Sequence, residues 1–329
     1  MLPNRRSFLT VLSLLALGLS ACGQAGSNST STSGSQATKP SADQEKFSHS
    51  PAGYDLTITL DGPANTVVAD FYSAAALHPY GFKADGVWGY GADDPGNELV
   101  VEEQNILGLD ADLSIEKLAA LKPDLIIGVG NEDGSGWTWW DEKVTAQVAD
   151  VAPYLPVKMR QLPTELIEEY AAIAASLGLD VDTPEVQADK KRYEDALAAL
   201  EKTAKEKGDS ITVLALGASK DEVWTSRYLG VIRLLEEHGV NVIGPDHPEE
   251  QPWASTSWEN IGDYKADIVL ELDSTKDATS DHPTFKKLPA VEAGQVIGWN
   301  DKRAYTYKGY ADWLEELVEL LERSEDIVA

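Results

Sequence analysis

The chain has 329 residues, with 27 Lys and Arg against 55 Asp and Glu, a formal net charge of −28, and a single cysteine. A surface this acidic repels nucleic acid and anionic lipid, and one cysteine leaves no disulfide framework, thiolate zinc site or second thiol for redox chemistry. The charge keeps the protein soluble beside an anionic membrane but names no ligand.

The chain opens with Asn4-Arg5-Arg6, a positive leader, followed over 8–19 by an apolar run too short to span a bilayer, so 1–21 reads as a cleaved signal peptide. Leu19-Ser20-Ala21-Cys22 resembles the bacterial lipobox, which makes Cys22 the acylated residue (palmitate among its lipids) and the only attachment to the membrane. Arg5-Arg6-Ser7-Phe8-Leu9 is also similar to a twin-arginine signal, so both the general and the twin-arginine export routes stay open. Residues 22–50 are Ser, Thr, Gly, Ala and Gln with almost no large apolar side chain, and are expected to be a disordered tether reaching about 30 Å.

The roughly 280 residues that follow suit two lobes better than one core. Short β-branched runs at 66–69, 125–129, 211–216, 241–243, 268–272 and 295–298 alternate with helical periodicity, the pattern of βα units around mainly parallel sheets. One helix, 184–207, stands apart. Thr183 caps it, Pro184 suits its first position, Lys202, Lys205 and Lys207 complement its negative end, and Gly208 ends it. At 1.5 Å per residue it reaches about 36 Å, enough to bridge two lobes. Tyr193, Ala196, Leu197, Leu200 and Ala204 form its apolar stripe. The expected division is therefore a first lobe over 51–183, a linking helix over 184–207 and a second lobe over 208–329. An internal repeat supports it. Residues 114–127 superpose without a gap on 257–270, with identities at Ser114 and Ser257, Glu116 and Glu259, Lys122 and Lys265, and Asp124 and Asp267. Each copy reads as a Ser-capped short helix, a Lys-x-Asp turn and a buried strand.

Leu118-Ala-Ala-Leu-Lys-Pro-Asp-Leu-Ile-Ile127, Asp70-Phe-Tyr-Ser-Ala-Ala-Ala-Leu77 with Gly86-Val87, and Gly294-Gln-Val-Ile-Gly298 before a final helix resemble the substrate-binding proteins of ABC importers. Within that family the likeness is to the class that binds ferric siderophores, haem and cobalamin. The resemblance implies two Rossmann-like α/β lobes, a ligand cleft between them, no catalysis, and a monomer that hands its ligand to a membrane permease. It also implies that one glutamate of each lobe, here Glu116 and Glu259, docks on permease arginines. A ferric siderophore of hydroxamate type is the expected ligand. It brings its own iron ligands, so no cofactor is expected; haem or a cobalamin-like ligand is the alternative.

Ligands of open α/β sheets lie beyond the carboxyl ends of the strands. Tyr72, Trp88, Tyr90 and Trp137, with Trp139 and Trp140, occupy such positions in the first half, and Trp224, Tyr228, Trp253, Trp299 and Tyr305 do so in the second. Flat aromatic walls would hold a bulky amphipathic ligand. Arg160 and Arg227 are placed to donate to its oxygens, while Arg192 and Arg233, inside helices, are expected on the solvated surface. The five histidines show no metal-binding spacing, and the G-x-S-x-G of a hydrolase nucleophile is absent, which leaves a secreted hydrolase as the weaker reading.

Overall fold

In the computed structural model residues 46–92, 94, 97–248 and 251–328 are described; the signal segment, Cys22 and the expected tether up to residue 45 lie outside them. The end of that tether is part of the fold. Phe47 is 1 % exposed, and β1 (Ser48–His49) pairs antiparallel with β2 (Ile58–Thr59). His49 seals the pairing: its Nε2 lies 3.0 Å from Glu169 and its Nδ1 3.1 Å from Ser176, while Glu169 also accepts the Ala52 N–H. Composition placed the boundary a few residues late because a lone Phe among polar residues carries no periodic signal, whereas its burial is decided by the tertiary groove it fills.

The first lobe runs through β3 (Val67–Asp70), α1 (Phe71–Leu77), β4 (Gly86–Gly89), β5 (Ile106–Leu109), α2 (Ile115–Leu121), β6 (Leu125–Val129), α3 (Glu142–Ala149), β7 (Tyr154–Val157) and α4 (Pro163–Ser176). Its sheet is wholly parallel in the order β5-β4-β3-β6-β7. Strand β7 carries Pro156 and is tolerated because it lies at the sheet edge. Helix α5 (Pro184–Lys207) follows with the expected ends: the Thr183 hydroxyl accepts the Val186 N–H, and Gly208 stops the helix at φ +58°.

The second lobe comprises β8 (Thr212–Ala218), β9 (Val223–Thr225), α6 (Gly230–Glu237), β10 (Asn241–Ile243), β11 (Ala254–Thr256), β12 (Ile268–Leu272), α7 (Lys276–Ser280), α8 (Pro289–Glu292), β13 (Val296–Trp299) and α9 (Tyr307–Arg323). The sheet is mixed. Strands β10, β8, β12 and β13 are parallel, whereas β9 and β11 add antiparallel on one side.

The repeat is a hydrogen-bonded one. In the first lobe Asp124 accepts the Thr66 N–H, and in the second Asp267 accepts the Thr212 N–H and hydroxyl, so each aspartate pins the start of the central strand beside its own. Leu118 and Ile261 donate to the carbonyls of Ser114 and Ser257 and are fully buried. The copies differ in one respect. The first is a Ser-capped α-helix, as expected, but the second is a turn leading into a short 3-10 helix, Ile261–Asp263.

Strand alternation sorts the core. Val67, Ala69, Leu125 and Ile127 of the first sheet and Val213, Ala215, Ile268 and Leu270 of the second belong to one apolar cluster that also takes in α4, α5 and α9. Val68 and Ile126, and Leu214 and Val269, face the opposite way into a separate cluster in each lobe. Helix α5 lies along α9 and is fixed there by Arg192, whose guanidinium forks onto Glu315 and reaches Asp312 at 2.8 Å. That corrects the expectation of a simply solvated Arg192, and it raises the guanidinium pKa through those carboxylate hydrogen bonds.

Asp70, fully buried, ends β3, caps α1 and ties both to β6. Its carboxylate accepts N–H groups from Ser73, Val129 and the Trp137 indole, each at 2.8 Å. Burial pushes its pKa up, and these donors pull against that rise. Asp70→Asn would turn a donor toward donors. It should cost about 1–3 kcal/mol in urea unfolding and shift the indole near-ultraviolet dichroism as the Trp137 loop loosens. Phe47→Ala, neutral if residue 47 belonged to a tether, should cost about 3–5 kcal/mol in the same measurement.

Candidate functional site

The carboxyl ends of the first lobe's strands and the facing loops of the second enclose a cleft of about 430 Å³. After β6 the chain forms a loop closed by the Gly130 and Trp137 bridge, which presents Trp139. After β7 come Lys158, Met159 and Arg160. Opposite them stand the start of α6, Trp253 before β11, and Asp301, Lys302 and Tyr305 after β13. Two hollows extend the cleft into a trough. One, of about 410 Å³, shares Lys302 and includes Tyr72 and Tyr90; the other, of about 310 Å³, shares Met159 and Arg160 and includes Tyr228 and Arg233.

The lobes touch at the trough. A Cβ on Gly230, the first residue of α6, would lie 2.1 Å from the Gln161 carbonyl oxygen, so only glycine allows the second lobe's helix to approach the first lobe's backbone this closely. Across the lobes the Lys308 ammonium also meets Glu98 at 2.6 Å.

Of the residues singled out from sequence, Tyr72, Tyr90, Arg160, Tyr228, Trp253 and Tyr305 line the trough. Trp88, Trp137 and Trp299 do not. Each is 0 % exposed: Trp137 donates to Asp70, Trp299 donates to the Leu216 carbonyl, and Trp88 stacks on Trp140. They form the layer beneath the walls, Trp137 under Trp139 and Tyr90, and Trp299 against Trp253. An indole after a strand end looks the same in sequence whether it backs a wall or faces it. Trp224 on β9 and Arg227 also lie off the trough, with Arg227 bound to Glu236 at 2.8 Å. Arg233 is corrected the other way, from surface to hollow, because α6 begins at the trough and brings its first turns alongside it.

Sequence reasoning missed Tyr54, Lys158, Met159 and Lys302. Lys158 and Met159 follow the same strand end after Val157 that pointed to Arg160, but no aromatic or guanidinium marks them; Tyr54 lies in a loop before any predicted strand.

The phenols keep their protons, and the Tyr54 hydroxyl already donates to the Asn131 carbonyl at 2.8 Å. Burial, with Glu132 and Asp133 nearby, pushes Tyr54 up to about 12; burial, then Asp301, raises Tyr305; burial, then Asp94, raises Tyr72. At neutral pH all three carry their protons. Burial also raises the Asp301 carboxyl, against the pull of Lys302. The trough thus offers apolar area from Trp139, Trp253 and Met159, with phenol, ammonium and guanidinium donors between, a surface that can hold a bulky ligand rich in oxygen acceptors. Among the described residues no group of three or more His, Cys, Asp or Glu could hold a metal ion, and no helix is long and apolar enough to cross a membrane. Glu116 and Glu259 are both exposed, one on each lobe, and the Ser257 hydroxyl holds the Glu259 carboxyl below its usual range.

Residues 86–302 match the model of a periplasmic binding protein family. No curated protein sequence matches the chain. Among solved structures, the chain is similar to DesE, a ferric-siderophore receptor protein from Streptomyces coelicolor, at 28 % identity and a TM-score of 0.78, over 85 % of this chain and 99 % of that one. A siderophore periplasmic binding protein from the fuscachelin gene cluster of Thermobifida fusca is 20 % identical, with a TM-score of 0.62 over 79 % and 97 %. FhuD2 from Staphylococcus aureus, solved with bound ferrioxamine B, is 21 % identical with a TM-score of 0.55 over 78 % and 98 %. With two α/β lobes, a long linking helix, a cleft where the strand ends face each other and a family model matched across both lobes, the chain belongs to the periplasmic binding protein family.

Proposed function

We propose that the protein is the lipid-anchored substrate-binding component of an ABC importer, held outside the cell membrane through Cys22, and that its trough captures a ferric siderophore of hydroxamate type for iron uptake. The observation that carries this reading is a donor-rich aromatic trough between lobes in a chain similar over 85 % of its length to a ferric-siderophore receptor. The iron arrives already chelated, so the protein supplies walls and hydrogen bonds and needs no cofactor of its own. With one lobe on either side of helix α5, one docking glutamate would stand on each side of the trough: Glu116 and Glu259 would receive permease arginines, with the binding protein acting as a monomer.

A hydrolase finds little support. The described residues contain a Ser176, His49 and Glu169 relay, but His49 and Glu169 are each 8 % exposed, and the Ser176 hydroxyl is committed to the Ala172 carbonyl. None of the three lines the trough.

Titration with ferrioxamine B, haem and cobalamin, read by tryptophan quenching, should give saturable binding for the ferric hydroxamate. At a hundredfold excess over Kd the ligand should add about 2.7 kcal/mol of stability. Charge reversal, Glu116→Arg or Glu259→Arg, should abolish uptake in cells while leaving that titration unchanged; loss of binding would remove the docking assignment. Because the lobes share a core and meet at Gly230, the loaded protein should differ little from the free one in small-angle scattering, and a large compaction would contradict this.

A further inference from the structure

We propose that the 310 Å³ hollow at one end of the trough is a subsite for an anionic arm of the ligand, gripped between Arg160 of the first lobe and Arg233 of the second, so that a linear ferric hydroxamate ending in a carboxylate is preferred over one ending in an ammonium. This rests on the siderophore reading and narrows it.

The hollow is unlike the rest of the molecule. In a chain of net charge −28, its only charged lining groups among the described residues are two guanidiniums, and they come from opposite lobes. Met159 and Pro252 give it apolar walls, and the half-open phenol of Tyr228 adds a neutral donor. The ion pairs show which arginines are committed elsewhere. Arg192 and Arg227, outside the trough, hold carboxylates at hydrogen-bond distance, 2.8 Å in each case to Asp312 and Glu236. Arg160 and Arg233 do not. Among the described residues their nearest carboxylates, Glu132 and Glu237, stand at 3.8 and 3.7 Å, beyond a hydrogen bond, which leaves the planar donor forks for another acceptor. A carboxylate matches such a fork in a bidentate pair, whereas a terminal ammonium would meet like charge. An anion held by both arginines would also tie the lobes together on the side where Gly230 already brings them into contact.

The test uses the full chain and two probes with the same iron centre: ferrioxamine B, which ends in an ammonium, and its N-succinyl derivative, which ends in a carboxylate. Titrated at low ionic strength, the succinyl derivative should bind about tenfold more tightly, and the difference should shrink as salt is added. Arg160→Gln and Arg233→Gln should each weaken the succinyl derivative more than ferrioxamine B, so that the tenfold preference narrows. Glu132→Gln, which removes the nearest competing carboxylate, should widen the preference. Equal or weaker binding of the succinyl derivative, or a preference that survives the double arginine variant, overturns the subsite while leaving the siderophore reading in place. Failure of the unmodified protein to bind either probe overturns both.

Discussion

The structure depends on one apolar contact that ignores the division into lobes. The inner faces of both sheets, α4, α5 and α9 all belong to a single buried cluster, so the linking helix is not a rod with a lobe at each end but the middle of a shared core. Bending the molecule at α5 would expose side chains such as Tyr193, Leu200 and Leu314, each 2 % exposed or less, at a cost on the order of 25 cal/mol for every Å² uncovered. The backbone approach at Gly230 and Gln161 fixes the other side of the same joint. Between these two restraints the trough keeps its width, and ligand selection falls to the side chains that line it more than to a large hinge motion.

Those side chains are arranged in two layers, and the division explains how donors survive in so apolar a place. Trp88, Trp137 and Trp299 carry the packing, with Asp70 holding Trp137 in register. Trp139, Tyr90 and Trp253 then stand on that layer with their exposed faces toward the trough. Because burial holds Tyr54, Tyr72 and Tyr305 in the protonated form, the walls add nothing to an already large negative charge. The cationic side chains of the cleft, Lys158, Lys302 and Arg160, are thus set against a strongly acidic background that would otherwise turn away oxygen-rich ligands.

Most of the fold was legible because its signals are local. Thr183, Pro184 and Gly208 mark α5 by capping chemistry, and the repeat of Asp124 and Asp267 marks equivalent strand starts, which the backbone hydrogen bonds to Thr66 and Thr212 make physical. What stayed hidden depends on tertiary context. Gly at both ends of β4 diluted its propensity, and the second copy of the repeat lost its α-helix while keeping the buried Ile261. The site was read in part. Strand ends announced where aromatics gather, but which ring faces the ligand and which supports it is set by a register that periodicity does not carry, as the neighbours Trp137 and Trp139 show.

The clasp formed by Phe47, His49 and β2 has a mechanical meaning. Tension arriving at residue 46 is taken up by paired backbone and a buried imidazole seated on α4, all within the first lobe. The second lobe would feel such a pull only through the common interior, which leaves the spacing of the jaws unaltered.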